Sequence, residues 1–551
     1  MRYWCLLAIA STLGATIVAS TVATTASSPT YAAATAHTPA YLVIQNRVTT
    51  TPATVEHFPA RLSPTAPFDV DIPRVRALTS EGRVQDAQRL FDILSWQNFI
   101  ALGWPADDSG KPRPSITDHG SPQWTFLMPS TRIFKARGAA PDAWGSHPTG
   151  LEQREMYRTK AAWRKNTTHV IDQNLQAFSG PLVDQNGKWA RYEMLVNRTE
   201  YDYIVRNVLY NQEGQAAFAQ NNIVDFPANT ADAPGSTEVK LAWKEMGPSD
   251  IRERFITTRA YVINFDTNKP ELREVGLVGM HIAVRTQSSP LWVWSTFEHV
   301  DNVTPPDKTA TVRGRQVPVK ASFHDPNAKG VPQNVLPARN AITGPDGNAS
   351  IDFDYATTAP TTWMEKYTTT PVQVVRVIPL DQPTVDLNDE VRAILKKAGS
   401  KLQYYELIGT QWPQNPNAPA FAGGNGSAPE SIVYKTPGAM IPVFLTNSTM
   451  ETYFQLGVQP AGPLEQDDRL PPGSPPIDPT LVFGTESCVG CHYSAGITIG
   501  FKKNPQTGQY ALNAAGQRQP IYGENSHFGR TGSAHFSWML QFEPKSTHDP
   551  K

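Results

Sequence analysis

Apolar residues recur at helical spacing between Glu81 and about Leu102, namely Val84, Ala87, Leu90, Phe91 and Leu94. Intervals of three and four residues place such side chains on one side of a helix, so the segment predicts an amphipathic helix. Gly103 and Pro105 follow it, and both residue types end helices. The helix is expected to offer one apolar face to the rest of the chain.

Three consecutive runs in the middle of the chain are rich in β-branched and aromatic residues: Phe255 to Phe265, Glu274 to Thr286 and Leu291 to His299. Short polar breaks containing Asp, Asn, Ser and Pro separate the runs, and these residues favour tight turns. The pattern predicts an antiparallel β-meander.

Weaker patterns predict further elements. Helices are expected at Leu151 to Lys165, Tyr201 to Ala219 and Leu387 to Ala398. Strands are expected at Val372 to Ile378 and Leu402 to Trp412, while Ser236 to Met246 fits either a strand or a helix. Ser448-Thr449-Met450-Glu451 has the spacing of a capping box and predicts a short helix that ends at Gly457.

These elements predict an α+β fold with a loop-rich, large N-terminal region, an antiparallel β-meander, and a short C-terminal segment packed against that region. The 48 prolines and 37 glycines predict many loops. The run Gly423-Gly424-Asn425-Gly426 is a flexible break. We therefore divide the chain into a leader at 1–36, a large α+β domain at 37–425 and a C-terminal segment at 426–551.

Residues 1–36 have the composition of a signal peptide. Arg2 supplies a positive charge, Leu6 to Val18 is mostly apolar, and Ala32-Ala33-Ala34 or Ala34-Thr35-Ala36 offers small residues for cleavage. The apolar run is short for a membrane span, and no later segment is apolar enough to form one. We expect cleavage of the leader and a mature protein without a membrane span, located in the periplasm or secreted.

Charge and cysteine content narrow the function. Lysine plus arginine number 49 and aspartate plus glutamate 50, for a net charge of -1, which gives no electrostatic basis for binding nucleic acid or a membrane surface. Cleavage removes Cys5 and leaves Cys488 and Cys491. The exported chain therefore has no disulfide framework, and packing has to stabilise it.

The two remaining cysteines belong to Cys488-Val489-Gly490-Cys491-His492, the attachment sequence of a c-type haem. In such sites both thiols form thioethers to the porphyrin, and the histidine is the proximal ligand of the haem iron. A structural zinc site needs four ligands, and a redox dithiol is typical of a thioredoxin-like βαβ unit. Neither context is present in the sequence, so the motif predicts one covalently attached haem c.

Six stretches carry a resemblance to a known family: LSWQNFIALGWP (Leu94 to Pro105), STEVKLAWKEM, VGLVGMHIAVRTQSSPLWVWSTFEHVDNV (Val275 to Val303), TNSTMETYFQ, SCVGCHYSAG and AHFSWML (Ala534 to Leu540). In these stretches the chain resembles exported bacterial proteins grouped only as cytochrome c family proteins, with a single C-terminal haem motif. The resemblance implies haem binding and names no substrate. In similar sequences the segment matching AHFSWML often lacks a methionine at the place of Met539.

The C-terminal segment departs from an ordinary small cytochrome c, which has a closing helix after its ligand methionine. Only residues 540–551 follow Met539, and they include Pro544 and Pro550. A closing helix is therefore not expected. We expect the haem segment to fold against the large N-terminal region.

Several residues could bind the other axial position of the iron. Met539 is a possible distal ligand, since a thioether gives a haem suited to electron transfer, and the alternative role is a core methionine in an aromatic helix. His527 and His535 lie in a glycine-rich stretch that could fold over the haem. His281 and His299 could meet in the β-meander as metal ligands, as distal residues or as acid–base groups, or each could be a hydrogen-bonded core histidine.

Two main functions fit these observations. The first is a periplasmic monohaem c-type cytochrome that transfers electrons to a redox partner protein. The second is a haem enzyme of the peroxidase or oxygenase type, with an open distal site under the large domain, and a haem-based binding or sensor module is a third. The size of the chain favours an enzyme, because carrying an electron does not require roughly 400 extra residues. No catalytic residue can be assigned from the sequence.

Overall fold

The computed structural model describes much of the chain from residue 56 to residue 550. The described residues are 56–146, 154–155, 182–264, 269–289, 291–329, 331, 333–334, 371–412, 433–434, 442, 445–452, 455, 482–483, 488–492, 495–513, 516–523 and 532–550. The predicted signal peptide and His527 lie outside these residues. Within them, no helix combines the length and the apolar character that crossing a membrane requires.

The described helices and strands are mostly short. The α-helices are α1 Ile72–Ser80, α2 Val84–Gly103, α3 Ser130–Ile133, α4 Arg198–Arg206, α5 Gln212–Phe218, α6 Gln382–Ala398, α7 Cys488–His492 and α8 Trp538–Phe542. Single 3-10 turns occur at Gln123–Phe126, Ala136–Gly138, Arg252–Arg254 and Lys401–Tyr404. The first strands are β1 Pro105–Ala106, β2 Ser121–Pro122, β3 Met128–Pro129, β4 Arg154–Glu155, β5 Arg191–Val196, β6 Thr237–Glu245, β7 Thr257–Asn264 and β8 Lys269–Val284. The others are β9 Val293–His299, β10 Thr309–Val312, β11 Arg315–Pro318, β12 Tyr405–Gln411, β13 Val433–Tyr434, β14 Val482–Phe483, β15 Thr498–Phe501 and β16 Pro520–Tyr522.

An eight-stranded sheet forms the centre of the molecule. Its main path has the order β12-β9-β8-β6-β5-β3, β7 also pairs with β8, and β4 pairs with β7. Apart from the parallel pair of β4 with β7, the strands are antiparallel. The predicted meander of β7, β8 and β9 is therefore confirmed, as is the mixed α+β architecture. The ambiguous segment from Ser236 to Met246 is a strand, β6.

One face of the sheet is covered by α2 and α6. Strand residues that belong to this core include Leu195, Val239, Leu241, Leu277, Met280, Ile282, Phe297 and Leu407. Phe99 of α2 stacks on Phe297 with ring centroids 4.2 Å apart, and the Trp96 indole N–H donates to Asn388 of α6 at 3.0 Å. The helical period of α2 thus places its aromatic side chains directly on the sheet, as the sequence predicts.

The opposite face of the sheet is covered by the C-terminal segment. Ala283 and Trp294 on the sheet belong to one buried cluster, here called the second core, with Val489, Phe536 and Met539 of that segment. On β8, Ala283 lies between Ile282 and Val284, which belong to the helical core. Because successive side chains of a strand point to opposite faces, Ala283 points away from the helical core, as does His281 two residues earlier. The C-terminal segment therefore covers a surface that would otherwise leave apolar side chains in water.

The predicted helix from Tyr201 to Ala219 is two helices, α4 and α5. Val208, between them, has a φ of 53°, and Asn211 then caps α5 by accepting from the Gly214 N–H at 2.7 Å. Gln215 of α5 donates to the Leu540 carbonyl at 2.7 Å and accepts from the Thr498 N–H at 2.9 Å. The break turns α5 toward the C-terminal segment, a long-range contact that helical periodicity does not show.

Three further expectations differ from the structure. Residues 372–378 form no strand, although Gln373 makes an isolated bridge with Gln333. Ser448 begins a turn over residues 448–450, and Asn447 accepts from the Thr449 N–H at 2.9 Å; most of the predicted helix beyond residue 452 lies outside the described residues. In the predicted helix from Leu151 to Lys165, the described residues are those of β4, and the remainder lies outside the described part. The other predicted helix and strand, α6 and β12, are present.

We expect Gly279→Ala to loosen the C-terminal segment. Gly279 lies on β8 beneath residues 445–452, and a β-carbon there would be 2.5 Å from the Thr449 hydroxyl and 3.2 Å from Met450 Cε. Thr449 cannot easily move, because its hydroxyl donates to Asn447 at 2.7 Å. Overpacking of this kind costs about 1–3 kcal/mol of the free energy of unfolding, which urea denaturation measures. Gly500→Ala is the control, since nothing lies within 4 Å of a β-carbon there; equal effects of the two changes would contradict this packing.

Candidate functional site

The Cys-x-x-Cys-His motif forms one short helix, α7, on the second face of the sheet. Val489 is fully buried, and its N–H donates to the Gln411 side chain of β12 at 2.9 Å. A single helical turn places the first and fourth residues of the motif on the same side. The motif is therefore held against the edge strand of the sheet and lies within the second core.

His492 has the orientation of a metal-binding histidine. Its Nδ1 is 2.8 Å from the carbonyl oxygen of Phe536; since a carbonyl can only accept, Nδ1 carries the proton. Among the described residues none bonds to Nε2, which is left with the lone pair. Burial is the main cause that lowers the pKa of His492 to about 4, so the ring is neutral near pH 7. A hydrogen bond that fixes the tautomer of a histidine in this way is typical of metal ligands.

The surroundings of His492 are apolar on one side. The Trp294 ring of β9 lies 4.5 Å from the His492 ring, between centroids. The Cys488 thiol is half-buried, 3.9 Å from the Leu445 carbonyl oxygen, and burial raises its pKa. The side chain of Cys491 lies outside the described atoms. A thiol, a neutral imidazole with a free Nε2 and an aromatic wall fit the residues that attach a haem.

A pair of titratable residues lies close to the motif on the sheet side. His281 Nε2 of β8 is 3.0 Å from Glu451 Oε1, and Glu451 Oε2 accepts from the Asn447 N–H at 2.7 Å. Burial by itself would raise the pKa of Glu451, but the charge and hydrogen bond of His281 and the charge of Lys240 bring it below the ordinary value. Lys240, His281 and Glu451 all act electrostatically on His492. The carboxylate of Glu451 is therefore ionised beside the motif, and no described residue bonds to His281 Nδ1.

Glu298 holds the turn that carries Glu451. Its side chain is fully buried and accepts from the Ser448 N–H at 2.6 Å and the Ser448 hydroxyl at 2.5 Å. Arg376 donates to the same carboxylate at 3.0 and 3.2 Å. A buried charge is tolerated only when it is paired and hydrogen-bonded, and Glu298 meets both conditions. This pairing fixes where residues 445–452 lie on the sheet.

His299 lies away from the motif and is not paired with His281. In the β8–β9 register, Thr296 is opposite His281, and His299 is three residues further on, facing the other side of the strand. Its Nε2–H donates to the Arg254 carbonyl at 3.0 Å, and its Nδ1 accepts from the Asp301 N–H at 3.0 Å. His299 is thus a hydrogen-bonded core histidine. Among the described residues there is no cluster of three or more His, Cys, Asp or Glu side chains suited to a metal ion.

A cavity of about 250 Å³ lies at the end of β9, beside His299. Its polar lining residues are His299, Asn302, Thr304, His324, Arg376 and Glu406. Arg376 lines this cavity and also pairs with Glu298. Glu298 in turn bonds to Ser448, in the turn that carries Glu451, so a chain of hydrogen bonds joins the cavity wall to that turn.

The remaining candidate ligands have different environments. Met539 is buried in α8, three residues after Phe536. His535 is buried, and its Nδ1 accepts from the Phe226 N–H at 3.1 Å, so its Nε2 carries the proton. His535 therefore presents no lone pair to a metal in this arrangement.

Sequence reasoning missed Glu451, Lys240, Glu298 and the Phe536 carbonyl. The capping-box spacing at Ser448 drew attention to Glu451, whose Oε2 does accept from a nearby backbone N–H, that of Asn447, but it did not reveal the contact of Oε1 with His281. A backbone carbonyl leaves no signal in the sequence, because any residue at position 536 would supply it. No family model, curated protein or solved structure matches the chain, so the function has to be argued from this geometry.

We expect His299 to make the protein less stable in mild acid. Burial is the main cause that lowers its pKa to about 4, against about 6.5 in an unfolded chain. The unfolded state therefore binds more protons between these values, and stability falls as the pH drops from about 6.5 to about 4. The full loss is on the order of 3 kcal/mol.

Urea denaturation between pH 7 and pH 4.5 measures this effect. The variant His299→Gln should show a shallower loss of stability than the unchanged protein. His57→Gln is the control, since the side chain of His57 is 77% exposed. If the free energy of unfolding falls equally steeply with pH in the unchanged protein and in the His299 variant, the expectation is contradicted.

Proposed function

We propose that this protein is a monohaem c-type cytochrome whose haem is attached to Cys488 and Cys491 and bound at the iron by His492. The observation that carries the proposal is the 2.8 Å contact between His492 Nδ1 and the Phe536 carbonyl. It leaves the lone pair on Nε2, in a motif whose sequence is that of a haem attachment site. A structural dithiol or a surface histidine would not require this orientation.

The protein's own groups define what such a site can do. A bound haem supplies one-electron chemistry. His492 contributes a neutral imidazole. The Phe536 carbonyl accepts a hydrogen bond from its Nδ1–H, which makes Nε2 more basic. The second core excludes water on the side of Trp294 and Val489. We infer transfer of single electrons with a redox partner protein, after export to the periplasm as the leader suggests.

The sixth position of the iron is the point on which the function depends. The Phe536 carbonyl lies behind His492, on the side away from Nε2. Met539 follows Phe536 by three residues, in α8, and is buried in the same apolar cluster as Phe536 and Val489. We therefore favour a packing role for Met539.

His281 is the described residue best suited to a role at the iron or next to it. It lies near His492. The ionised Glu451 accepts from Nε2–H at 3.0 Å, so when His281 is neutral its lone pair is on Nδ1. Nδ1 of His281 would then be a second ligand for the iron of a bound haem, and two ligands from the protein suit electron transfer.

A second function rests on the same pair. If His281 does not bind the iron, His281 and Glu451 would form a histidine–carboxylate couple near His492. Such a couple can take up and release a proton during reduction of a peroxide or an oxygen species. This arrangement would support a haem enzyme, and it differs from the first function in leaving the iron accessible to small ligands.

We expect the mature protein to carry one covalent haem. Mass spectrometry after expression in a host competent for cytochrome c maturation should give the mass of the polypeptide plus one haem. The double variant Cys488→Ala/Cys491→Ala should give the polypeptide mass alone, because no thioether can form. Expression of the unchanged chain in a host without a maturation system is the control. Two unmodified thiols in the competent host would refute the proposal.

We expect Met539→Ala and His281→Ala to differ in effect. Met539→Ala leaves a cavity and should cost about 2–5 kcal/mol of the free energy of unfolding, without changing the reduction potential or the near-infrared spectrum of the ferric haem. The reduced unchanged protein should bind carbon monoxide slowly, and His281→Ala should bind it quickly because the sixth position is then open. Loss of a methionine-type near-infrared band in Met539→Ala would make Met539 the ligand. Fast carbon monoxide binding by the unchanged protein would favour the haem enzyme.

A further inference from the structure

Backbone hydrogen bonds hold the walls of the cavity at the end of β9. The Ser322 N–H donates to the Asp301 carbonyl at 2.8 Å. The Phe323 N–H donates to the Asn302 carbonyl at 2.9 Å, and the Val374 N–H donates to the Phe323 carbonyl at 2.9 Å. These bonds tie together three segments of the chain that line the cavity. Its volume of about 250 Å³ exceeds the roughly 150 Å³ of an engineered cavity that binds benzene, so a small organic molecule fits.

Asn302 brings to this cavity a buried acceptor without a partner. The residue is 2% exposed, and its Nδ2 donates to the Val278 carbonyl at 2.7 Å. Because a carbonyl can only accept, this bond fixes the orientation of the amide and makes Oδ1 the other end. Among the described residues nothing bonds to Asn302 Oδ1 or to the buried Nδ1 of His324, which also lines the cavity. Buried polar atoms nearly always have partners, so these two lack a donor that the described chain does not supply.

The charged side chains of the lining leave one negative charge in excess. Arg376 donates to both carboxylate oxygens of Glu298, at 3.2 and 3.0 Å, and only its 3.5 Å contact reaches Glu406. In the described part of the chain, Glu406 forms an ion pair with Arg376 alone, while Arg392 and Asp389 act on Glu406 with opposite signs. Burial is the main cause that raises the pKa of Glu406. One guanidinium thus serves two carboxylates.

These features exclude several kinds of ligand. An anion would meet the excess negative charge. A metal ion lacks ligands, since the described residues include no group of three or more His, Cys, Asp or Glu side chains suited to one. Water or a neutral alcohol can donate to Asn302 Oδ1, but it leaves the charge of Glu406 unbalanced. A protonated amine supplies a positive charge together with three N–H donors.

We propose that this cavity binds a small primary amine, whose ammonium group pairs with Glu406 and donates to Asn302 Oδ1. Val300, Val303 and Val375 also line the cavity and would contact the carbon atoms of the ligand. An amine without a carboxylate is favoured over an amino acid, because Arg376 is the one lysine or arginine among the described lining residues and Glu298 already occupies it. The binding does not depend on the proposed haem.

Calorimetric titration of the full-length mature protein with three matched compounds tests the proposal. 2-Phenylethylamine hydrochloride should bind at one site per chain and raise the melting temperature, because a ligand of the folded state stabilises it. 2-Phenylethanol has the same shape without the charge and should bind more weakly by roughly tenfold or more. Phenylalanine adds a carboxylate to the same amine and should also bind more weakly. The absorption spectrum of the haem, recorded in each titration, detects any amine that binds the iron instead.

Two variants assign the site. Glu406→Gln removes the negative charge and should weaken binding of the amine by roughly tenfold or more, while leaving the pair of Arg376 with Glu298 intact. Thr304 lines the cavity and is exposed, so Thr304→Trp should narrow the entrance without disturbing the core. Glu274→Gln is the control, because this glutamate of β8 pairs with Arg252 at 2.6 Å and is not among the described lining residues. It should bind the amine normally.

Three results would overturn the proposal. The first is the absence of heat and of any melting shift when the unchanged protein is titrated with 2-phenylethylamine, which is decisive even if a variant fails to fold. The second is equal affinity for the amine and the alcohol, which removes the role of the charge. The third is undiminished amine binding by folded Glu406→Gln and Thr304→Trp variants, or binding that follows the change in the haem spectrum, which places the amine elsewhere.

Discussion

The structure depends on the burial of both faces of the central strands. β8 and β9 place Ile282 and Phe297 toward α2 and α6 on one side, and Ala283 and Trp294 toward the C-terminal segment on the other. Sheets buried on both faces need a layer on each, and here the second layer combines the C-terminal segment with residues of α3 and α4. The motif at Cys488 to His492 is therefore a part of the second core. Among the described residues, the C-terminal segment adds no strand to the central sheet, but it packs on one face of that sheet and completes its burial.

Polar contacts then fix where the second layer lies. Apolar packing is non-directional, so the cluster around Trp294 does not by itself select one position for residues 445–452. The bonds of Glu298 with Ser448 and Arg376 are directional and fully buried. Breaking such a pair leaves an unpaired buried charge, which costs several kcal/mol, on the order of 3–5. The same turn holds Glu451 against His281, so the position of the turn determines the electrostatic environment of His492.

Local patterns in the sequence predicted those helices and strands that are determined by their own residues. The period of α2, the turn residues between β7, β8 and β9, and the apolar positions of α6 all lie within the elements that they specify. The expectations that failed concern long-range causes. Tyr201 to Ala219 is divided because α5 bonds to Leu540 and Thr498, and residues 372–378 are extended without becoming a strand of the sheet. At the site, the motif identified Cys488 and His492, but the partner of His492 is a backbone carbonyl, which no side chain reveals.

The position of α7 has a consequence for the order of biosynthesis. The Cys488 thiol is half-buried beside Leu445, and Val489 next to it is fully buried and bonded to Gln411. On the proposed function, a porphyrin has to reach both thiols before this layer closes over the sheet. Maturation would then precede the last step of folding. The time available for attachment would be set by the rate at which this layer closes, because a chain that closed first would bury the Cys488 thiol unmodified.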